Sequence, residues 1–353
     1  MKKLVVVGGG YGGLNIVANI LHSTFPEDIE ITMIDRNPYH ALKTEFYATA
    51  AGTKADVDVR LQFPKDKRVK YVFGEVTKID TENEQILLEG DQPEIPYDTL
   101  VVALGCEDAY HGVPGAKEYG KSVQTIQQAR ETALAVGNTP GGGIIGIVGG
   151  GLSGIETAAE IRESRPDLRI RLFDRNESVL RPFHDKVRNY VEEWFAKNEV
   201  EVIHHCQIEE VTPEGIINKG KLIPTNVTIW TAGVQPSAVV RDLPYEKDKY
   251  DKIIVNEYYQ VPEATNVYVV GDCAASEFSP SGQLARQQGQ QIAEILLAIM
   301  NGKEPRKPKP IKLKGTLGSL GKNEGFGNMM EKPMTGWLPR LAKTGVLWIN
   351  KRH

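Results

Sequence analysis

The sequence predicts a parallel α/β protein with two dinucleotide-binding units, and three observations carry that prediction. A glycine-rich phrase occurs twice, as VVVGGGYGG at residues 5–13 and as IVGGGLSGIE at residues 147–156. Each copy follows a short apolar run and opens a stretch whose apolar residues recur at helical spacing. Each is followed, about 20 residues on, by a second apolar run that ends in aspartate, the layout of a strand–turn–helix–strand unit.

The first unit reads as a strand at Leu4–Val7, a turn with Gly8, Gly10 and Gly13, a helix carrying Leu14, Val17, Ala18 and Leu21, and a strand ending in Asp35. Glycines at this spacing let backbone amides approach a pyrophosphate, which then sits on the positive end of the helix, while the aspartate accepts hydrogen bonds from ribose hydroxyls. The second unit repeats every part: a strand at Ile144–Val148, then Gly149, Gly151 and Gly154, a helix over Leu152–Glu163, and a strand ending in Asp174. One such turn arises in many tight strand–helix connections; two, each with its acid, predict two dinucleotide sites. The Asp174 carboxylate repels the extra phosphate of NADPH and so favours NADH, although Arg175 beside it works in the opposite sense.

A chain holding two dinucleotides is suited to passing a hydride between them, and the usual pair is a flavin and a nicotinamide. Strands ending in Ala103-Leu104-Gly105 and in Thr231-Ala232-Gly233 offer small residues where backbone would approach a cofactor; strand followed by turn is their plainer reading. A further strand closes on Gly271-Asp272, ahead of a helix expected over Gln283–Met300. That helix would direct its N-terminus at reduced flavin, and Asp272 would bond the ribityl chain.

Composition excludes several classes. The 353 residues are 41% hydrophobic and 25% charged, as in globular proteins. Three separated cysteines and no CxxC pair argue against a disulfide framework, a dithiol centre or a zinc ribbon, and suit a reducing cytoplasm. No run approaches the ~18 apolar residues of a membrane span. There is no nucleic-acid motif, metal-ligand cluster or Ser-His-Asp arrangement, and no nucleic-acid partner or metal is expected. His204 and His205 read as structural, and Cys273 as packing. The net charge of −4 conceals an imbalance: residues 301–353 carry 12 Lys or Arg against three Glu. Within 331–353, Trp337, Leu338, Leu341, Val346, Leu347, Trp348 and Ile349 alternate with Arg340, Lys343, Lys351 and Arg352. That mixture suits an anionic membrane surface; an arm packed on the body or on a second copy in a homodimer is the alternative. Pro339 and Gly345 are expected to break any long helix there.

The phrases GGGYGG, NPYH, GGGLSGIE, TAG, YVVGDCA, GQLARQQG and KGTLGSLG together resemble the type II NADH:quinone oxidoreductases, above all their short NADH dehydrogenase-like members, over residues 1–325. The resemblance implies two Rossmann-like FAD/NAD(P)-binding domains of the glutathione-reductase type with a short basic C-terminal segment. It puts FAD on Gly8, Gly10, Gly13 and Asp35, with Val76 at the adenine, Ala103 and Gly105 at the strand end, and Asp272 and Ala274 near the ribityl chain and ring. It puts NADH on Gly149, Gly151, Gly154, Asp174, Ala232 and Gly233. Glu156 would lie near the nicotinamide and flavin, or else be a first-turn acid favoured by the helix dipole. Gln283 and Gln287, in the stretch matching the family's quinone signature, would present two amides from one helical face; without the resemblance they read as solvated helix positions. Lys314 would place a cation near the flavin.

The implied activity is FAD-dependent, non-proton-pumping transfer of electrons from NADH to a quinone, with the protein in the cytoplasm or on the cytoplasmic face of the membrane. The sequence departs from the family pattern in its short C-terminus, in Gly282 and Arg286 within the signature, and in HALKTEFYATAAG after the second strand. These departures leave a reductase for a soluble or protein acceptor, or a flavin/NAD redox sensor, as alternatives. The expected domains are FAD (1–112 and 237–302), NAD (113–236) and a C-terminal segment (303–353).

Overall fold

The computed structural model describes residues 3–350, with side chains through Leu347. It contains two compact units, Met1–Ala41 with Arg60–Glu107 and Gln235–Leu313, and Leu42–Val59 with Asp108–Val234 and Lys314–His353. The boundaries read from the sequence differ in five places: residues 42–59, 108–112 and 314–353 join the second unit, and 235–236 and 303–313 the first.

The first unit is built on a six-stranded sheet in the order Gln260–Val261, Ala264–Val269, Thr99–Val102, Lys3–Val7, Glu30–Asp35, Val69–Phe73. Its strands run parallel except for the hairpin that adds Gln260–Val261. Strand Lys3–Val7 shows why its apolar run is continuous: successive side chains face opposite sides, and both are covered. Leu4 and Val6 meet helices Tyr11–Leu21 and Gly282–Met300 through Ile16, Ile20, Ile292 and Leu296. Val5 and Val7 meet the antiparallel sheet Val76–Asp80, Gln85–Leu88, Ile95–Pro96 through Val76, Ile86 and Leu88. The two helices cross closely at Gly12 and Gly289, where a Cβ on Gly289 would lie 2.7 Å from the Gly12 carbonyl.

The second unit repeats the plan on a four-stranded parallel sheet, Val200–Ile203, Arg169–Phe173, Ile144–Val148, Val227–Trp230. The antiparallel strands Ile208–Thr212, Gly215–Asn218 and Lys221–Pro224 cover it through Val211 and Ile216. This unit also holds a C-terminal sheet, Gly315–Leu320, Glu324–Met329, Lys332–Gly336, with helix Trp337–Asn350 packed on it. The helix corrects the expectation that Pro339 and Gly345 would interrupt the tail. Pro339 occupies the first turn, where a backbone N–H has no intrahelical acceptor to lose. Trp348, Ile349, Lys351 and Arg352, counted in the amphipathic reading of the tail, have side chains outside the described residues.

Candidate functional site

The two glycine turns are copies in atomic detail as well as in wording. Asp35 accepts from the Gly9 amide at 2.6 Å through Oδ2 and from the Asn37 amide at 2.7 Å through Oδ1. Asp174 accepts from Gly150 and Asn176 in the same way, both at 2.7 Å. The triplet Asp-Arg-Asn recurs at 35–37 and 174–176, so a sequence signal for this latch exists and extends two residues beyond the acid. Burial raises the Asp35 carboxyl, with the Asn37 and Gly9 amides opposing it.

Each glycine has a separate duty. A Cβ on Gly8 would fall 2.3 Å from the Ala103 carbonyl, and on Gly13 2.0 Å from Gly8's own. Gly149 and Gly154 are confined likewise, at 2.7 Å from the Thr231 carbonyl and 1.9 Å from that of Gly149. The middle glycines, Gly10 and Gly151, meet nothing within 4 Å. They face open space at the starts of helices Tyr11–Leu21 and Leu152–Ser164, neither of which has a side-chain cap or a first-turn acid. Helices Ile126–Asn138, Asp185–Lys197 and Gly282–Met300, by contrast, are capped by Thr125, His184 and Ser281. Two uncapped helix ends, each with an open glycine and an aspartate latch, form cradles that fit a sugar pyrophosphate.

The strand ends also match: the Ala103 amide bonds to Val7 and the Thr231 amide to Val148, each at 2.8 Å. In the first unit Val76 is buried at the start of its strand, and Asp272, in a short turn, accepts from the Cys106 thiol at 3.0 Å. Ala274 is buried immediately after it, and Gly105 adopts φ +67° with open space at its Cβ position. In the second unit Gly233 (φ +135°) accepts from the Ala109 amide, and the Ala232 carbonyl lies 3.1 Å from His111.

Glu156 is not a first-turn acid. It lies one turn into its helix, 5% exposed, and the helix dipole does not explain it. Its Oε1 takes the Lys343 ammonium, the Ser319 amide at 2.8 Å, and the Ser319 hydroxyl at 2.8 Å. The Tyr47 hydroxyl stands 2.9 Å from Ser319 Oγ and 3.3 Å from Lys343 Nζ, which is also 4.5 Å from the centre of the tyrosine ring. All four residues are buried. Burial pushes the Glu156 carboxyl up against the pull of Lys343, and pushes the Tyr47 phenol up to about 12, with Glu156 adding to it. For Lys343 burial acts downward, but the charges of Glu156, Tyr47 and Glu45 outweigh it and the ammonium is held. Sequence reading missed Lys343, Ser319 and Tyr47 as partners. In the sequence Lys343 reads as one more basic residue of the tail.

The predicted acceptor-side residues diverge. Gln287 spends both ends of its amide on one residue, donating to the Lys312 carbonyl at 2.9 Å and accepting from the Lys312 amide at 3.1 Å. Gln291, one turn on, donates to the Lys309 carbonyl at 2.7 Å, so this helix face stitches down the segment leading to Leu313. Gln283 is half-buried in the first turn, and Lys314 is exposed with its carbonyl bonded to Met330. Gln288, not singled out from the sequence, is buried and accepts from Gly271 at 2.8 Å, fixing the turn that carries Asp272.

Comparison with known proteins places this arrangement. Residues 2–298 match pyridine nucleotide-disulphide oxidoreductases. The chain belongs to that family. It is an α/β oxidoreductase of two Rossmann-like units, and no disulfide joins Cys106, Cys206 or Cys273. It is 45% identical to the NADH dehydrogenase-like protein YutJ of Bacillus subtilis (strain 168), over 100% of this chain and 99% of that one. To the type II NADH:quinone oxidoreductase of Staphylococcus aureus (strain MSSA476) it is 27% identical, over 95% and 91%. Among solved structures, the fold matches NDH2 from Plasmodium falciparum in complex with NADH at TM-score 0.86 and 16% identity, over 99% and 94% of the two chains. It matches the sulfide:quinone oxidoreductase of Aquifex aeolicus at TM-score 0.80 and 20% identity, over 100% and 92%.

Proposed function

We propose that this family member holds FAD in the cradle of Gly8, Gly10, Gly13 and Asp35, takes hydride from NADH held by Gly149, Gly151, Gly154 and Asp174, and reduces a quinone without pumping protons. One observation carries the reading: two latched glycine turns of the same geometry, each opening on an uncapped helix. The flavin supplies a carrier that accepts a hydride and releases its electrons onward. The rest falls to this chain's side chains. Val76, Ala103, Gly105, Asp272 and Ala274 complete the flavin's surroundings, and Ala232 and Gly233 those of NADH.

Quinone reduction consumes two electrons and two protons. The hydride accounts for both electrons and one proton, and the second must be drawn from solvent. Glu156 and Lys343, holding protons between them with Tyr47 and Ser319 in contact, are the group we assign to relaying it. Gln283, in the first turn of its helix, is the amide we assign to a quinone carbonyl, and Lys314 the cation that would favour its anionic reduced form. The binding of the Gln287 amide to Lys312 favours a second reading, transfer to a soluble acceptor through the same two cradles.

Anaerobic stopped-flow mixing tests both. NADH is expected to bleach the bound flavin within a turnover, and a water-soluble quinone to restore its colour. Bleaching followed by recolouring only with a soluble dye selects the second reading; a flavin that NADH does not bleach refutes both.

The tail helix is assigned to an anionic lipid surface, since Trp337, Leu338, Leu341 and Val346 are exposed together while Pro339 and Lys343 point inward. The full-length protein is expected to sediment with phosphatidylglycerol vesicles, and Leu341→Glu to lower the bound fraction severalfold. Failure of the unaltered protein to bind such vesicles would remove the assignment. Among the described residues, no helix is long and apolar enough to cross a membrane.

A further inference from the structure

The cradles differ at the residue that begins each helix. It is Leu152 in the second unit, where it packs towards Gly318, and Tyr11 in the first. Three groups of the first unit converge on Tyr11. The Arg286 guanidinium lies 5.3 Å from the ring centroid. His40 meets the ring edge-on at 4.8 Å and 77°. Gly282 lies so close that a Cβ there would come within 3.0–3.3 Å of the ring. Two departures from the family wording therefore have one cause: an alanine at 282 would press on the tyrosine, and the tyrosine is the surface on which the Arg286 side chain rests.

His40 ties this group to the turn. The Gly9 carbonyl accepts only, so His40 Nδ1 carries the hydrogen and donates to it at 2.9 Å. Nε2 is then a bare acceptor, in a residue 1% exposed, and has no hydrogen-bond partner. Burial, with the charge of Arg286 adding to it, holds the imidazole at about 4, so the ring is neutral and Arg286 brings the positive charge. A buried acceptor without a donor is costly, and a hydroxyl of a sugar-phosphate ligand is a group able to satisfy it.

We propose that Arg286, seated on Tyr11 beside the first glycine turn, is a charged clamp on the pyrophosphate of the bound flavin dinucleotide, and that it makes this dinucleotide resident while the one in the second unit exchanges. The inference rests on the assignment of FAD to the first unit. Uncapped helix amides offer partial charges, whereas a guanidinium offers a full charge and paired N–H donors matched to phosphate oxygens. Stacking on an aromatic face fixes its plane before the ligand arrives, and partial burial reduces screening by salt.

The test is FAD binding to flavin-stripped protein, with NADH binding measured in the same samples as an internal reference. Arg286→Met keeps the apolar stem over Tyr11 and removes the charge; Arg286→Lys keeps a charge without the fork. The methionine variant is expected to bind FAD about tenfold or more weakly, with the lysine variant between it and the unaltered protein and NADH affinity unchanged. The ³¹P resonances of bound FAD should shift in both variants. FAD affinity and ³¹P shifts like those of the parent protein would overturn the clamp, as would equal weakening of FAD and NADH, which marks a general loss of structure. A parent protein that takes up no FAD at all would overturn the flavin assignment itself, and the clamp with it.

Discussion

Lys343→Met is expected to destabilise the protein by about 3–5 kcal/mol, the usual cost of stranding one member of a buried ion pair. The carboxylate left behind lies in a helix whose Ile155, Ala158 and Ala159 are fully buried, and it keeps the Ser319 amide and hydroxyl as donors, the hydroxyl itself in contact with Tyr47. Solvent cannot replace the lost ammonium, so Glu156 must either carry an unpaired charge or take up a proton. Adding Glu156→Leu to Lys343→Met removes the stranded group, and the double variant is expected to recover most of the loss. Urea unfolding of the single and double variants checks this. If the two are equally unstable, the lysine contributes through its packing and not through the pair. The same single variant should slow acceptor reduction in stopped-flow more than it slows flavin bleaching by NADH, because only the former draws on the relayed proton.

The second large effect separates the two cradles. Gly10 (φ −71°) and Gly151 (φ −81°) have extended backbones that any residue adopts, and neither has an atom within 4 Å of a Cβ position. Valine at either place should leave the fold intact and occupy the seat of a pyrophosphate. Gly151→Val is expected to weaken NADH binding on the order of a hundredfold or more, through loss of several charge-assisted amide bonds, while the protein keeps its flavin and its melting temperature. Gly10→Val should do the reverse and yield a folded, colourless protein that still binds NADH. NADH titration and the flavin absorbance of the purified variants measure both. The reading is refuted if Gly151→Val loses flavin or Gly10→Val retains it. Gly13→Ala and Gly154→Ala are poor substitutes, since a Cβ at those positions collides with the turn itself and would unfold the site.

How much of this was legible in the sequence depended on the range of the interactions. The glycine turns, their strands and both aspartates were readable because they are local: the acid that latches each turn lies 24 to 26 residues from the amide it accepts. The strand ends at Ala103 and Thr231 were readable as small residues after apolar runs. Gln283 and Gln287 were readable as one helical face, but not the use of that face, because what Gln287 binds is the backbone of an irregular segment 25 residues on, and backbone leaves no trace in residue type. Gly282 and Arg286 stand out in the sequence as departures whose common reason, the ring of Tyr11, lies on another helix.

The sequence by itself determined the duplicated architecture and the two cradles, since glycine conformation, apolar alternation and a terminal acid act within one strand–turn–helix unit. Only the tertiary structure decided what the buried charges do. Glu156 meets Lys343 across 187 residues, and Arg286 reaches the ring of Tyr11 from another helix. A lysine in a basic tail and a lysine buried against a carboxylate read the same in one dimension. Their charge is set by the side chain alone, whereas their worth is set by how much water the fold removes around them.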